Sequence, residues 1–460
     1  MQALRLLELL NTRSQLLLLV SICLVGLQGC ATYSDNTAAA RELASLGQYD
    51  EAVAKLAPLL GVDADDPHAQ PDQFKSDRAL LLLERAMLHQ ARGDYEGSQE
   101  DLLVADKQLE LIDFTNTAAT DIARYLYSDS SSPYKISPVE RLSLNTLNML
   151  NFLAVGDLSG ARVEARRFGV IRKFLEDTAP DHAHGAIGSY LAGFVHEKLG
   201  ETGPALRHYN DALDDGRIFG LEGTVARLAS RASYRGPNVK KIVEAGTTPE
   251  PDEGGDILVV VGLGRVPYKV PKRMPIGAAV GILAADFTGN LDVLSRSAFK
   301  VVIFPELVPA SGSFTGVQSR VDNGTIVTDA VTNIGTELVR EYAEAKPKII
   351  AAAVTRMISR AVAAEGARQA GRKMAGNSGG AAVIGGLLSA VAEGVLVAAD
   401  RPDTRSWTLL PEKVYVSRAR VPAGNHEVKV QLGGAFASAQ QFPVDVPEGG
   451  YALIVVMPLH

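Results

Sequence analysis

Cysteine is almost missing from this chain. Among 460 residues only Cys23 and Cys30 occur, and tryptophan occurs once. That scarcity excludes a disulfide framework and any zinc site built from thiolates, so the fold must hold by packing. A surplus of positive charge is absent too. Lys and Arg number 46 against 53 Asp and Glu, a formal net charge of −7. General nucleic-acid binding, which needs a basic face, is thereby disfavoured. Long apolar runs are missing near the N-terminus. A membrane span needs about 20 apolar residues, and the run from Leu16 to Leu27 is shorter and stops at Gln28-Gly29. No Walker phosphate loop is present. Gly262-Leu263-Gly264 follows an apolar stretch but leads to Pro267 and Pro271 rather than into a helix, so it fails as a dinucleotide turn. What remains is ordinary globular material, 46% hydrophobic and 22% charged, enough for two or three domains.

The organising feature is Leu27-Gln28-Gly29-Cys30. Arg5 and Arg13, an apolar middle and a small residue before a cut site make residues 1–29 a secretory signal peptide. A cut before a cysteine resembles the lipobox of bacterial lipoproteins, although Gln28 stands where that pattern has a small residue. The resemblance implies acylation of Cys30, palmitate included, with residues 30–36 as a short tether. Ala31 follows the cysteine where an Asp would resemble an inner-membrane retention signal, so the implied location is the periplasmic side of the outer membrane. Loss of residues 1–29 removes Cys23, and Cys30 then has no disulfide partner. Three acyl chains, at about 0.8 kcal/mol per buried methylene, give stable anchoring.

Residues 37–235 carry a helical pattern in which one phrase recurs. Gly47-Gln48-Tyr49-Asp50-Glu51-Ala52, Gly93-Asp94-Tyr95-Glu96-Gly97-Ser98, Gly156-Asp157-Leu158-Ser159-Gly160-Ala161 and Gly200-Glu201-Thr202-Gly203-Pro204-Ala205 each precede apolar residues at helical spacing. The physics is that of a helical hairpin: glycine ends one helix in a left-handed cap, and a small residue lets the next approach. The phrase resembles the turn of tetratricopeptide repeats, and the fourth unit, with Tyr209, matches best. The glycines lie 46, 63 and 44 residues apart rather than about 34, with polar inserts such as Asp63–His68, so the array is irregular. Such repeats commonly bind a partner protein. Tyr49, Tyr95, Arg162, Arg166 and Tyr209 are the expected partner-binding residues.

Residues 236–255, with the run Pro249 to Gly255, form the expected linker. A mixed α/β domain is expected over 256–460, making the whole chain α+β. Asp256 to Val261 is a buried strand, Arg265 to Pro271 an extended segment and Ala298 to Phe304 a further strand. Asp322-Asn323-Gly324 marks a hairpin. From Thr328 to Met374 the pattern is helical, with a basic face at Arg356, Arg360, Arg368, Arg372 and Lys373. Gly379 to Ala399 is a buried, close-packed helix. The tail, about 407–460, holds short strands at Val414–Ser417, His426–Leu432 and Tyr451–Met457 and resembles small β-sandwich modules of envelope proteins. The layout as a whole resembles an uncharacterised family of bacterial lipoproteins. The residues carrying that likeness are Gly160-Ala161-Arg162-Val163-Glu164-Ala165-Arg166-Arg167 and Asp403-Thr404-Arg405-Ser406-Trp407. It implies that these charged phrases form ion pairs locking helix to sheet.

No catalytic constellation assembles in the sequence. Gly376-Asn377-Ser378-Gly379-Gly380 fits the text of a nucleophile elbow, but a helix rather than a strand precedes it. Asp181-His182-Ala183-His184 lacks a third placed metal ligand, and Asp63, Asp65 and Asp66 lack the spacing of a calcium loop. Neither metal nor cofactor is expected. The expectation is a non-enzymatic interaction scaffold for envelope proteins, without nucleic acid. The alternatives are an envelope hydrolase using Ser378, or an acid pair such as Asp286 with Glu306, and a ligand-binding lipoprotein.

Overall fold

Each of the four glycine phrases joins two packed helices. The computed structural model describes residues 31–74, 77–109, 134–179, 181, 185–282, 301–310, 312, 314–375 and 402–460. The first pair is α1 (Ala38–Ser45) with α2 (Tyr49–Leu60), and the second is α3 (Arg78–Ala91) with α4 (Tyr95–Leu109). The third is α5 (Pro138–Ala154) with α6 (Leu158–Thr178), and the fourth is α7 (Ala186–Lys198) with α8 (Thr202–Asp214). Gly47, Gly93, Gly156 and Gly200 all adopt φ between 74° and 81°. The amide after each glycine bonds the carbonyl five residues back, as in Asp94 to His89 at 2.9 Å and Asp157 to Phe152 at 2.8 Å. That closure satisfies the last carbonyls of the preceding helix and favours glycine, which adopts the left-handed backbone without the Cβ penalty. Ala52, Ser98, Ala161 and Ala205 then start the second helix buried against the first.

Helix α5 is buried over nearly its whole length. Ser137 and Glu140 close a reciprocal capping box at its start. Its asparagines tie it to neighbours: Asn151 accepts from Gln90 at 2.6 Å and donates to Ser98 at 2.9 Å, and Asn145 donates to Glu164 at 2.8 Å. Two further helices follow, α9 (Glu222–Ala229) and α10 (Pro237–Glu244). The second lies inside the stretch read as a linker. Pro237 at its first turn fits the helix, because the missing N–H is not needed there.

Strand β1 (Gly255–Leu263) is buried on both faces. It is followed by β2 (Tyr268–Pro275), the short helix α11 (Ile276–Ile282), β3 (Val301–Val308), β4 (Phe314–Val321), β5 (Gly324–Ile326) and β6 (Thr328–Asn333). The long helix α12 (Ile334–Ala375) comes next, then β7 (Lys413–Val421), β8 (Gly424–Gly434), β9 (Ser438–Val446) and β10 (Tyr451–Val456). One sheet has the order β10-β1-β7-β6 and another β5-β4-β8-β9, and β2 pairs with β3. β1 runs parallel to β10, with Asp256 opposite Tyr451, and antiparallel to β7, with Val260 opposite Val416. Ile257, Val259, Val261 and Leu263 face Val428, Val430 and Leu432 of the second sheet in one apolar core. Val260, on the opposite face, lines an apolar cavity of about 30 Å³ with Leu142, Leu150, Leu191 and Met457, room for about two water molecules. Helices therefore cover one face of the first sheet, and the second sheet covers the other.

Thr328–Asn333, expected as the start of a helix, is strand β6; the helix begins at Ile334. The edge strand β9 is additional to the strands expected. Its Pro443, opposite Glu427, is tolerated because an edge strand has one unpaired side. Contacts divide the chain into two compact units. One contains Asn36–Val270, Leu307–Lys346 and Arg405–His460, so helix pairs and both four-stranded sheets belong to one body across the expected linker. In the other unit Lys272 pairs with Glu306 at 3.4 Å, and Ser34 N donates to Thr404 at 3.1 Å.

Candidate interaction surface

The residues expected to bind a partner fall into two groups, buried and exposed. Tyr209 is fully buried. Its hydroxyl donates to Glu197 at 2.6 Å and meets Arg418 at 3.1 Å. As a surface contact it is corrected: an aromatic at this position fills the corner between α7 and α8. Gly193, without a Cβ, makes room for its ring. Tyr49 is half-buried, and its hydroxyl accepts from Leu459 N at 3.4 Å, so it holds the C-terminal segment against the first helix pair. Tyr95 is half-buried, with its hydroxyl pushed above the usual range by burial. Arg162 pairs with Glu201 at 2.9 Å, joining the third helix pair to the fourth.

Arg166 stands exposed on the outer face of α6. Val163, Arg166, Val170 and Lys173 follow one another at spacings that keep them on one face. Val163 is 50% and Val170 70% exposed, and the Lys173 side chain is 66% exposed. Two large apolar side chains thus stand beside Arg166 and beside Lys173, whose ammonium pairs with Asp177 at 2.9 Å on the same helix.

Elsewhere a buried charge network joins helix to sheet. Arg418 on β7 grips Glu197 at 3.0 and 2.7 Å and reaches Asp256 at 2.9 and 2.8 Å. Arg227 reaches Glu197 at 2.6 Å, Arg420 reaches Asp256 at 3.0 Å, and Lys198 also pairs with Asp256. Burial alone would raise the Glu197 carboxyl, yet Arg418 and Arg227 hold it well below the usual range. The pairing of helix and sheet expected of the charged phrases runs mainly through these other residues.

The phrase before β7 is instead held by carboxylates. Trp407 N donates to Glu140 at 2.8 Å, and Arg405 reaches Asp77 at 3.1 Å. Thr408 N, Thr408 Oγ1 and Leu409 N donate to Glu84 at 2.8, 2.7 and 2.9 Å. Burial raises Glu84 to about 6. Nearby Glu341 accepts from Val139 N at 3.0 Å at the start of α5, and burial pushes it up to about 8. A cleft beside them is lined by Tyr134, Glu140, Lys269, Tyr342 and Ser406.

Cys30, Ser378, Asp286, His182 and His184 lie outside the described residues, as do Gly379–Ala399 and the side chains of most of the expected basic face. Among the described residues no helix is long and apolar enough to cross a membrane. Sequence reasoning missed a cluster of His68, His89 and Asp94 at the second turn. Asp94 was visible in the repeat phrase, but His68 sits in an insert and is joined to it only by folding. Compared with protein-family models, curated proteins and solved structures, the chain has no match.

Proposed function

We propose that the chain is a lipoprotein, acylated at Cys30 and held at the periplasmic side of the outer membrane. There it serves as a protein–protein interaction scaffold in envelope assembly or maintenance. The observation that carries the reading is the exposed stripe Val163, Arg166, Val170 and Lys173 on α6. Apolar side chains beside the Arg166 guanidinium suit a protein partner with a partly apolar face that carries a carboxylate for that arginine. The four glycine-closed turns support a tetratricopeptide-like array, an architecture that commonly presents extended binding surfaces. The lipobox resemblance supports the location.

A photo-crosslinking residue at Val170, in cells carrying the full chain, tests this. A discrete adduct at Val170 that is missing with the same residue at exposed Lys240, and that weakens with Arg166→Glu, is the expected result. Equal labelling at both positions, or an adduct indifferent to Arg166→Glu, would refute it.

A further inference from the structure

Three potential metal ligands converge at the turn between α3 and α4. One ligand atom each from His68, His89 and Asp94 lies within 4.8 Å of the others. His89 Nδ1 is 2.8 Å from Asp94 Oδ2, and His68 Nε2 is 3.4 Å from the same oxygen. We propose that this cluster binds a divalent transition-metal ion of the zinc class, with His68, His89 and Asp94 as ligands.

The surroundings of His89 carry much of the argument. Its Nε2 is buried, makes no hydrogen bond of normal length, and lies 3.7 Å from Asp101 Oδ2. Asp101 is itself fixed by Arg85 at 2.7 Å through each oxygen and by Gln70 at 2.8 Å. A carboxylate behind the far nitrogen is the usual support of a metal-bound imidazole. With Asp101 at 3.7 Å the support here is electrostatic, favouring the proton on Nε2, and that tautomer leaves the Nδ1 lone pair facing the cluster. Asp94 is oriented as well: its Oδ1 accepts from Gly97 N at 3.0 Å, which leaves Oδ2 toward the histidines.

Two further observations point the same way. A Cβ on Gly97 would stand 2.5 Å from His68 Cε1 and 2.7 Å from Asp94 Oδ2, so glycine clears the space in which imidazole and carboxylate meet. A cationic group also already sits against both His89 Nδ1 and Asp94 Oδ2. Arg92 Nη2 lies 2.8 Å from the first and 2.7 Å from the second. Its Nη1 bonds Asp50, an exposed residue, at 2.6 Å, so the guanidinium has an outer partner to retreat to.

Two imidazoles and one carboxylate suit Zn²⁺ rather than Mg²⁺ or Ca²⁺, which prefer all-oxygen shells. The rings of His68 and His89 stack 4.9 Å apart at 14°. Entry of the ion therefore requires His68, whose side chain is 45% exposed, to turn its edge inward. The bound ion would pin the polar insert ending at His68 onto the second helix pair and leave a fourth position toward solvent.

The test is titration of the metal-stripped full chain in detergent with Co²⁺, followed by visible absorption, and with Zn²⁺ by competition. One equivalent should bind the parent and be lost in His68→Ala and Asp94→Asn with unchanged circular dichroism. Arg92→Ala should bind about tenfold tighter, because the competing cation is gone. Equal Co²⁺ binding by the parent and His68→Ala would overturn the proposal. So would sulfur-to-cobalt charge-transfer absorption, which would assign the ion to a cysteine. Weaker binding by Arg92→Ala would remove the role given to that arginine.

Discussion

Arg418 and Glu197 are 221 residues apart in sequence and face each other through two hydrogen bonds of 3.0 and 2.7 Å. The pair ties β7 to the end of α7, and both side chains are almost fully buried. Breaking a buried pair from one side strands a desolvated charge and costs about 3–5 kcal/mol. Arg418→Met should therefore lower unfolding stability by that order in urea denaturation. Arg418→Met with Glu197→Leu should recover part of the loss. A double variant as unstable as two independent losses would show that the two residues do not act as a pair.

Glu341 should make stability fall as pH rises. Its carboxyl is raised from an ordinary 4.5 to about 8 by burial, with Glu140 adding to the shift and Lys269 opposing it. Between those values the folded chain holds a proton that the unfolded chain has released. The contribution is complete below about pH 4.5 and is lost as pH climbs through about 8, at up to about 1.4 kcal/mol per pH unit. Glu341→Gln keeps an acceptor for Val139 N and removes the titration. Thermal melts from pH 5 to 9 should show a flatter profile for the variant than for the parent. Parallel profiles would contradict the assignment.

Glu84→Ala should release the segment before β7. Three donors from Thr408 and Leu409 lose their acceptor inside the protein, and a buried donor without a partner costs about 1–3 kcal/mol. Hydrogen exchange at the Thr408 and Leu409 amides should accelerate first, ahead of the β1 amides. Uniform acceleration across the chain would instead indicate global destabilisation.

Two glycines should respond oppositely to alanine. Gly156 has φ 77° with open space around the missing Cβ. Gly156→Ala then costs only the left-handed backbone, about 1–2 kcal/mol. Gly203, in the first turn of α8, also has open space and an ordinary backbone. Gly203→Ala should stabilise by about 0.5–1 kcal/mol. Calorimetry of the two variants decides both signs.

Cys30→Ser tests the proposed anchor. The variant should accumulate as an uncleaved or soluble form, and normal fractionation with membranes would refute acylation.

The helix pairs were legible because their signals are local. Gly47, Gly93, Gly156 and Gly200 announce left-handed caps, and small residues five positions on announce close approach. β1 was legible as Asp256–Val261 because burial on both faces demands an unbroken apolar run. β6 was not. Thr328–Asn333 carries no alternation, and only its pairing with β7, Thr328 opposite Ser417, makes it a strand. β9 resisted for a related reason: as an edge strand it is mostly exposed and contains Pro443.

The sequence by itself determined where the chain turns and which runs are apolar enough to be interior. Each depends on residues within a few positions of one another. Only the tertiary structure decided which charges meet, because Arg418 finds Glu197, and Thr408 finds Glu84, through sheet register and helix packing rather than spacing. It also decided that Tyr209 is interior while Arg166 is exposed, though both stand on helices of the same repeated motif. Exposure depends on what packs against a face, and no local pattern records that.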